Sequence, residues 1–246
     1  MTLQPTDIAL VTGASSGIGA ATVRALCAKG VAVIAAARRL DRLEALAAET
    51  GCTPLELDVR DRDAVAALEH DHRIDVLINN AGLGRAMGSL ATADISDIER
   101  TIDTNVTALI HVTRAVLPGM LERKRGHLVN MSSTAAMHAG PTALYGASKA
   151  AVHKFCRDLR NELSGSGVRV SEINPGRVST EFYEVAIDDE ERRASAQDTG
   201  ITVLHPDDVA ASIIHMVDAP WHVNISQLEI VPQEQIYGGY HFAPLS

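Results

Sequence analysis

Residues 8–29 read IALVTGASSGIGAATVRALCAK. An apolar, β-branched run ends at Thr12, the glycines Gly13, Gly17 and Gly19 follow, and helical spacing then continues to Lys29. A buried strand, a glycine-rich turn and a helix form the opening unit of a parallel α/β sheet. Glycine there lets the turn close tightly and lets backbone approach a pyrophosphate, which rests on the helix N-terminus where unpaired N–H groups favour negative charge. A dinucleotide is the natural ligand of Gly13, Ser15, Ser16, Gly17, Ile18 and Gly19, against the plainer reading of an ordinary glycine-rich turn.

The same alternation continues along the chain. Short Val/Ile-rich runs at 8–11, 31–36, 74–78, 127–131, 168–173 and 228–231, with a shorter one at 54–57, predict seven strands buried on both faces. Helical spacing occupies 17–29, 41–49, 61–69, 95–124, 144–163 and 206–217, with Asp41, Asp61 and Pro206 opening three of these helices. No linker or repeat divides the 246 residues. The expected fold class is therefore α/β, a single-domain Rossmann fold with a seven-stranded parallel sheet and helices on both faces. Within it, about 1–130 form the cofactor half, about 131–232 the catalytic and substrate half, and 233–246 a C-terminal tail.

Composition excludes several function classes. A net charge of −9, from 22 basic and 31 acidic residues, provides no positive field for nucleic acid or an anionic membrane. The longest apolar run, 31–37, is far shorter than a bilayer span, and no secretory signal opens the chain. Three scattered cysteines, Cys27, Cys52 and Cys156, fit neither a disulfide framework nor a zinc site, so a reducing, cytoplasmic setting is expected. Ten histidines form no metal pattern, and no metal is expected.

Two further features bear on chemistry. Where dinucleotide folds that select NAD carry a carboxylate for the ribose 2′-hydroxyl, this chain has Ala36 and Ala37 followed by Arg38 and Arg39. A guanidinium can pair with a 2′-phosphate, so NADP is favoured over NAD unless these arginines only solvate a helix start. Tyr145 and Lys149 are four apart on a predicted helix and share a face. An ammonium beside a phenol should lower its pKa from about 10, which suits an acid/base partner for hydride transfer. Their helix follows a strand ending Asn130, Met131, Ser132, Ser133, at the sheet edge where ligands bind.

Taken in order, Thr12 to Gly19, Asp58 with Val59, Asn79-Asn80-Ala81-Gly82, the Ser/Tyr/Lys set and Asn174-Pro175-Gly176 make the chain resemble the short-chain dehydrogenase/reductase family over its whole length. The resemblance implies that Tyr145 is the general acid/base, that Lys149 also holds the nicotinamide ribose, that a serine orients substrate and that Asn105 supports a water-linked proton relay. It further implies that Asp58 and Val59 contact adenine, that Asn80, Ala81 and Gly82 line the cofactor, and that Pro175, Gly176, Val178 and Thr180 flank the nicotinamide. The family's usual thirteen-residue spacing selects Ser132. Its strand-end motif selects Ser133, which is preferred because a one-residue deletion in the following loop is easily absorbed.

The part beyond Val223 is similar to the branch containing 3-hydroxy acid (serine and allo-threonine) dehydrogenases and sulfoacetaldehyde reductases, which implies a small alcohol or carbonyl substrate such as a 3-hydroxy acid or a small aldehyde. Between Thr180 and Pro206 the chain reads as a variable lid, where that branch should present an arginine; none is clearly placed near Val185. Arg177, Arg192 and His138 are the alternatives. Residues 188–191, an acidic run in the lid, read as a solvated helix face. Tyr237, Tyr240 and Phe242 suggest that the tail packs on a neighbouring subunit. Ala147, Ala150 and Ala151 suit either close packing between subunits or a buried intramolecular face. By resemblance a homotetramer is expected, with a dimer as the smaller option. The competing function is a non-catalytic NADP-binding regulator that keeps the fold.

Overall fold

A computed structural model describes residues 3–139, 142–236 and 241–242. Strands β1 (Ile8–Thr12), β2 (Ala32–Ala37), β3 (Thr53–Glu56), β4 (Val76–Asn79), β5 (Gly126–Met131), β6 (Val168–Pro175) and β7 (Gln227–Ile230) form one sheet in the order β3-β2-β1-β4-β5-β6-β7. Every neighbouring pair in it is parallel. The order reverses direction between β1 and β4, and that switch point is where such sheets bind ligands.

Alternate strand residues feed two separate cores, because successive side chains point to opposite faces. Ala9 and Val11 of β1 join Val76 and Ile78 of β4 against α1 (Gly17–Ala28), α2 (Leu40–Thr50) and α9 (Pro206–Val217). Leu10 and Leu77 face the other way, into α3 (Arg62–Asp71), α5 (Ala108–Glu122) and α6 (Ala143–Glu162). Both faces of the central strands are thus covered. The expectation of burial on both faces fails at the two edges: β3 and β7 carry no fully buried residue, since each has a neighbour on one side only.

The stretch expected as one helix over 95–124 is α4 (Ile95–Ile102) and α5 joined by a π-helical turn, Asp103–Thr107. Apolar spacing runs through the turn unbroken, but the wider turn carries Asn105 into the protein interior. Asp61 caps α3, accepting from the N–H groups of Asp63 and Ala64. Asp41 does not cap α2: Arg39 takes the cap position, and Asp41 lies in the first turn, where its charge still favours the helix N-terminus. The lid contains α7 (Phe182–Ala186) and α8 (Glu190–Gln197). In the tail, β8 (Gln235–Ile236) pairs antiparallel with β9 (His241–Phe242), while Tyr237 and Tyr240 lie outside the described residues. Ala147 is exposed and Ala150 and Ala151 are only half-buried. The buried face of α6 is made by Ser148, Lys149, Val152, Cys156 and Leu159, so the alanines do not form an intramolecular core. Among the described residues no helix is long and apolar enough to cross a membrane.

Candidate active site

A cleft of about 400 Å³ opens along the carboxyl ends of the strands. Every residue expected at the site lines it except Gly19 and Asn105, which stand behind its wall.

At one end is the loop after β1. Gly13 has φ +67°, and a Cβ there would lie 2.9 Å from the Ala81 Cα; a Cβ on Gly19 would sit on the Gly13 carbonyl oxygen. Both are places where only glycine lets two backbones meet. Thr12 and Asn80 tie this loop to the end of β4: the Thr12 Oγ1 accepts from the N–H groups of Asn80 and Ala81, each at 3.1 Å, and the Asn80 amide donates to the Thr12 carbonyl at 3.0 Å. Asn79 turns inward instead, donating to Thr113 and Asn130 at 2.9 Å. Ser16, the N-cap of α1, makes no side-chain cap hydrogen bond, and Ser16, Gly17 and Ile18 at this helix start line the cleft.

Arg39 closes this end. Its guanidinium donates to the hydroxyls of Ser15 (3.1 Å) and Ser16 (2.8 Å) and to the Glu181 carboxylate (3.0 Å). Arg38 is exposed at the rim. Asp58, expected near adenine, lies below its ordinary pKa chiefly because Arg60 hydrogen-bonds it, with a smaller contribution from the charge of Arg38. Glycines that seat backbone against backbone, an uncapped helix start and a serine-arginine cluster together fit the phosphates of a dinucleotide, a 2′-phosphate included.

At the other end, Ser133 acts on the Tyr145 phenol to lower its pKa, and its Oγ accepts from the Ala135 N–H at 3.2 Å. Ser132 is buried and donates to the Lys149 carbonyl at 3.3 Å. Lys149 is itself buried and donates from Nζ to the Met131 carbonyl at 2.9 Å. Asn105 accepts from the Leu83 N–H and donates to the Leu83 carbonyl, both at 2.7 Å, and donates to Ser148 at 3.0 Å. A Cβ on Gly82 would lie 3.5 Å from the Lys149 Nζ and 3.6 Å from the Asn105 Oδ1, so the amide and the ammonium flank the same short backbone segment.

The profile of the short chain dehydrogenase family matches residues 7–191. The chain belongs to that family. It is 43% identical to an NADP-dependent 3-hydroxy acid dehydrogenase of Salmonella typhi, over 94% of this chain and 97% of that one. It is 41% identical to a sulfoacetaldehyde reductase of Chromohalobacter salexigens, over 96% and 97%. The closed form of a serine dehydrogenase complexed with NADP+ superimposes with a TM-score of 0.89, at 40% identity over 94% of this chain and 96% of that one.

In this dehydrogenase the Tyr145 phenol stands above its ordinary pKa, the reverse of what its spacing from Lys149 suggests. Burial pushes it up, and Ser133 only partly offsets that. Lys149, whose Nζ is 5.8 Å from the phenol ring centroid, does not offset that burial, and burial also brings the lysine's own pKa down to about 8. The phenol is therefore held protonated near neutrality.

Several residues of the cleft escaped the sequence reading. Phe182 packs edge-on against Tyr145, with ring centroids 5.4 Å apart, and forms one wall. Arg85 binds Asp188 through two hydrogen bonds of 2.7 Å and also Asp97, latching the lid to α4. The acidic run is thus not only a solvated face, because Asp188 takes that latch and Asp189 caps α8. Gln235, from the tail, reaches back and accepts from the Arg177 N–H at 2.9 Å. Of the three alternatives for an acid-binding cation, only Arg177 lines the cleft; Arg192 is exposed and donates to the Met87 carbonyl, and His138 lies 3.6 Å from Glu229.

Proposed function

We propose that the protein is an NADP-dependent oxidoreductase that interconverts a small hydroxy acid and its carbonyl counterpart. The observation that carries this reading is that Tyr145, Ser133 and Lys149 line one cleft, whose far end holds Arg39 with Ser15 and Ser16. Bound NADPH supplies a hydride to the carbonyl carbon, or NADP+ accepts one in the reverse direction.

Tyr145 holds the proton that the carbonyl oxygen takes up, and its raised pKa keeps that proton in place until hydride arrives. Ser133 holds the same oxygen through its hydroxyl and fixes the direction of the phenol. Lys149 would hold the nicotinamide ribose, and the water-linked relay that Asn105 supports would return a proton from solvent to the Tyr145 phenolate once its own proton has gone to the substrate oxygen. Arg39, with Arg38 at the rim, receives the 2′-phosphate. Leu57, Asp58 and Val59 form the wall for adenine, and Pro175, Gly176, Val178 and Thr180 the wall for nicotinamide. The acid character of the substrate is taken from the names of the relatives, which are hydroxy acid, serine and sulfoacetaldehyde enzymes. The three free cysteines suit a cytoplasmic enzyme, and a homotetramer is the assembly we assign by family.

The test is Tyr145→Phe. Turnover of a panel of small hydroxy acids with NADP+, and of small aldehydes with NADPH, should fall by roughly 100-fold to 10,000-fold, the usual worth of a positioned acid/base. NADPH binding, followed by nucleotide fluorescence, should persist. Undiminished turnover would remove Tyr145 from the chemistry. Tight NADPH binding with no turnover by the unaltered protein would favour the regulator reading.

A further inference from the structure

Among the described residues, Arg177 is a buried cation paired with no carboxylate. It follows Pro175 and Gly176 at the carboxyl end of β6, is only 8% exposed, and lines the same cleft as Ser133, Tyr145 and Phe182. Its backbone is fixed from two directions: the N–H donates to the Gln235 Oε1 at 2.9 Å, and the carbonyl accepts from the Leu204 N–H at 3.0 Å. The guanidinium is not so well served. Nη1 donates to the Tyr183 hydroxyl, Cζ lies 4.3 Å over the Tyr183 ring, and Nη2 is buried with no hydrogen-bond partner. Arg39 and Arg60 of the same cleft are paired with carboxylates, Glu181 and Asp58, whereas Arg38, also unpaired among the described residues, is exposed to solvent.

Burying a guanidinium costs several kcal/mol unless an anion and hydrogen bonds compensate it. A phenol oxygen and an aromatic face compensate only in part. A residue held this firmly and partnered this poorly, on the wall where Tyr145 stands, has the chemistry of a receptor for a planar oxyanion, because two parallel N–H groups match two oxygens.

We infer that Arg177 is the residue that selects an anionic substrate, with the Tyr183 hydroxyl occupying the acceptor place that a substrate carboxylate takes on binding. The inference rests on the proposed function and adds to it the recognising group. When Tyr183, on the short lid helix α7, turns aside, Nη1 and Nη2 together engage the carboxylate. The carbon to be oxidised is then presented to Tyr145 and Ser133. A sulfonate offers the same oxygens in a less planar array and is the alternative source of the charge.

The experiment uses the full chain with NADP(H) and paired substrates, one charged and one neutral: 3-hydroxybutyrate against its methyl ester, and sulfoacetaldehyde against propionaldehyde. The unaltered enzyme should prefer the charged member. In Arg177→Met the charged-to-uncharged ratio of kcat/KM should fall by roughly 100-fold, the worth of a charge-assisted bidentate pair, carried mainly by KM. Arg177→Lys should recover part of that ratio, which a purely structural role would not produce. A collapse confined to one pair tells carboxylate from sulfonate. If Arg177→Met does not fold, Tyr183→Phe decides. It removes the competing acceptor and should lower KM for the acid by about threefold, since a neutral hydrogen bond is worth about 0.5–1.5 kcal/mol. An unchanged ratio in Arg177→Met, or a raised KM for the acid in Tyr183→Phe, overturns the inference. Preference of the unaltered enzyme for the uncharged partners overturns it while leaving the oxidoreductase standing. Bound NADPH with no turnover of any pair overturns the oxidoreductase reading itself, and the inference with it.

Discussion

Across one cleft, the loop of residues 13–19 is seated by backbone, whereas the lid of residues 181–197 is seated by charge. Gly13 and Gly19 admit the carbonyl and Cα atoms of neighbouring segments where any side chain would collide, and Thr12 and Asn80 lock that contact with hydrogen bonds. The lid depends on Glu181 with Arg39 and Arg42, and on Asp188 with Arg85. Buried backbone contacts have no graded alternative, while exposed ion pairs are worth little each and exchange readily with water or ligand. The contrast matches the two tasks: a cofactor is held in one pose, but a substrate must enter and leave.

The contrast breaks most visibly at Gly19. In Gly19→Val the new side chain meets the Gly13 carbonyl and the Asn80 amide nitrogen, neither of which can withdraw without unseating the loop. Overpacking of this kind typically costs about 1–3 kcal/mol, and here it falls on the phosphate cradle as well. NADPH affinity should drop by about 100-fold or more, with a lowered melting temperature. Calorimetric titration that returned near-normal affinity would show the loop to be as adaptable as the lid.

A second, smaller effect is expected at the junction of the two regions, where Arg39 touches Ser15, Ser16 and Glu181 at once. Charge-assisted hydrogen bonds to a phosphate contribute about 1.5–3 kcal/mol. Arg39→Ser should therefore weaken NADP by roughly 10-fold to 100-fold and change NAD by no more than about threefold, as read by parallel titrations. Equal losses for both nucleotides would make Arg39 a structural clamp of the loop and not the reader of the 2′-phosphate.

The same division explains what the sequence made legible. The glycine loop is a local pattern, since strand, turn and helix are contiguous in 8–29, and the four-residue spacing of Tyr145 and Lys149 is local to α6. The sheet was legible for a related reason: β-branched runs buried on both faces carry their own signal, and only the edge strands β3 and β7 depart from it. The lid was opaque because its partners are remote, 142 residues apart for Arg39 and Glu181 and 103 for Arg85 and Asp188. The π turn at Asn105 left no mark on the apolar spacing that runs through it. The phenol's raised pKa was misread because spacing places two groups on one face but says nothing of their burial, and here burial outweighs the neighbouring charge.

The smallest effect tests whether the lid and the loop are coupled. Glu181 is the point of contact: burial acts to raise its pKa, but the hydrogen bonds from Arg42 and Arg39 outweigh this and keep it ionised. Its side chain is 35% exposed, so the ion pair with Arg39 is screened by solvent and is worth at most about 0.2–1 kcal/mol. A 2′-phosphate arriving at Arg39 must displace or tolerate that carboxylate, and the two negative charges oppose each other. Removing the charge in Glu181→Gln should therefore tighten NADP by about twofold to fivefold, leave NAD unmoved, and steepen the salt dependence of the NADP affinity. Because α7 begins at the next residue, Phe182, the same change should also loosen the lid, seen as a faster amide exchange across 182–186. Tighter NADP binding with no change in exchange would separate the phosphate site from the lid. Weaker NADP binding would mean that Glu181 organises Arg39 for the phosphate and does not compete with it.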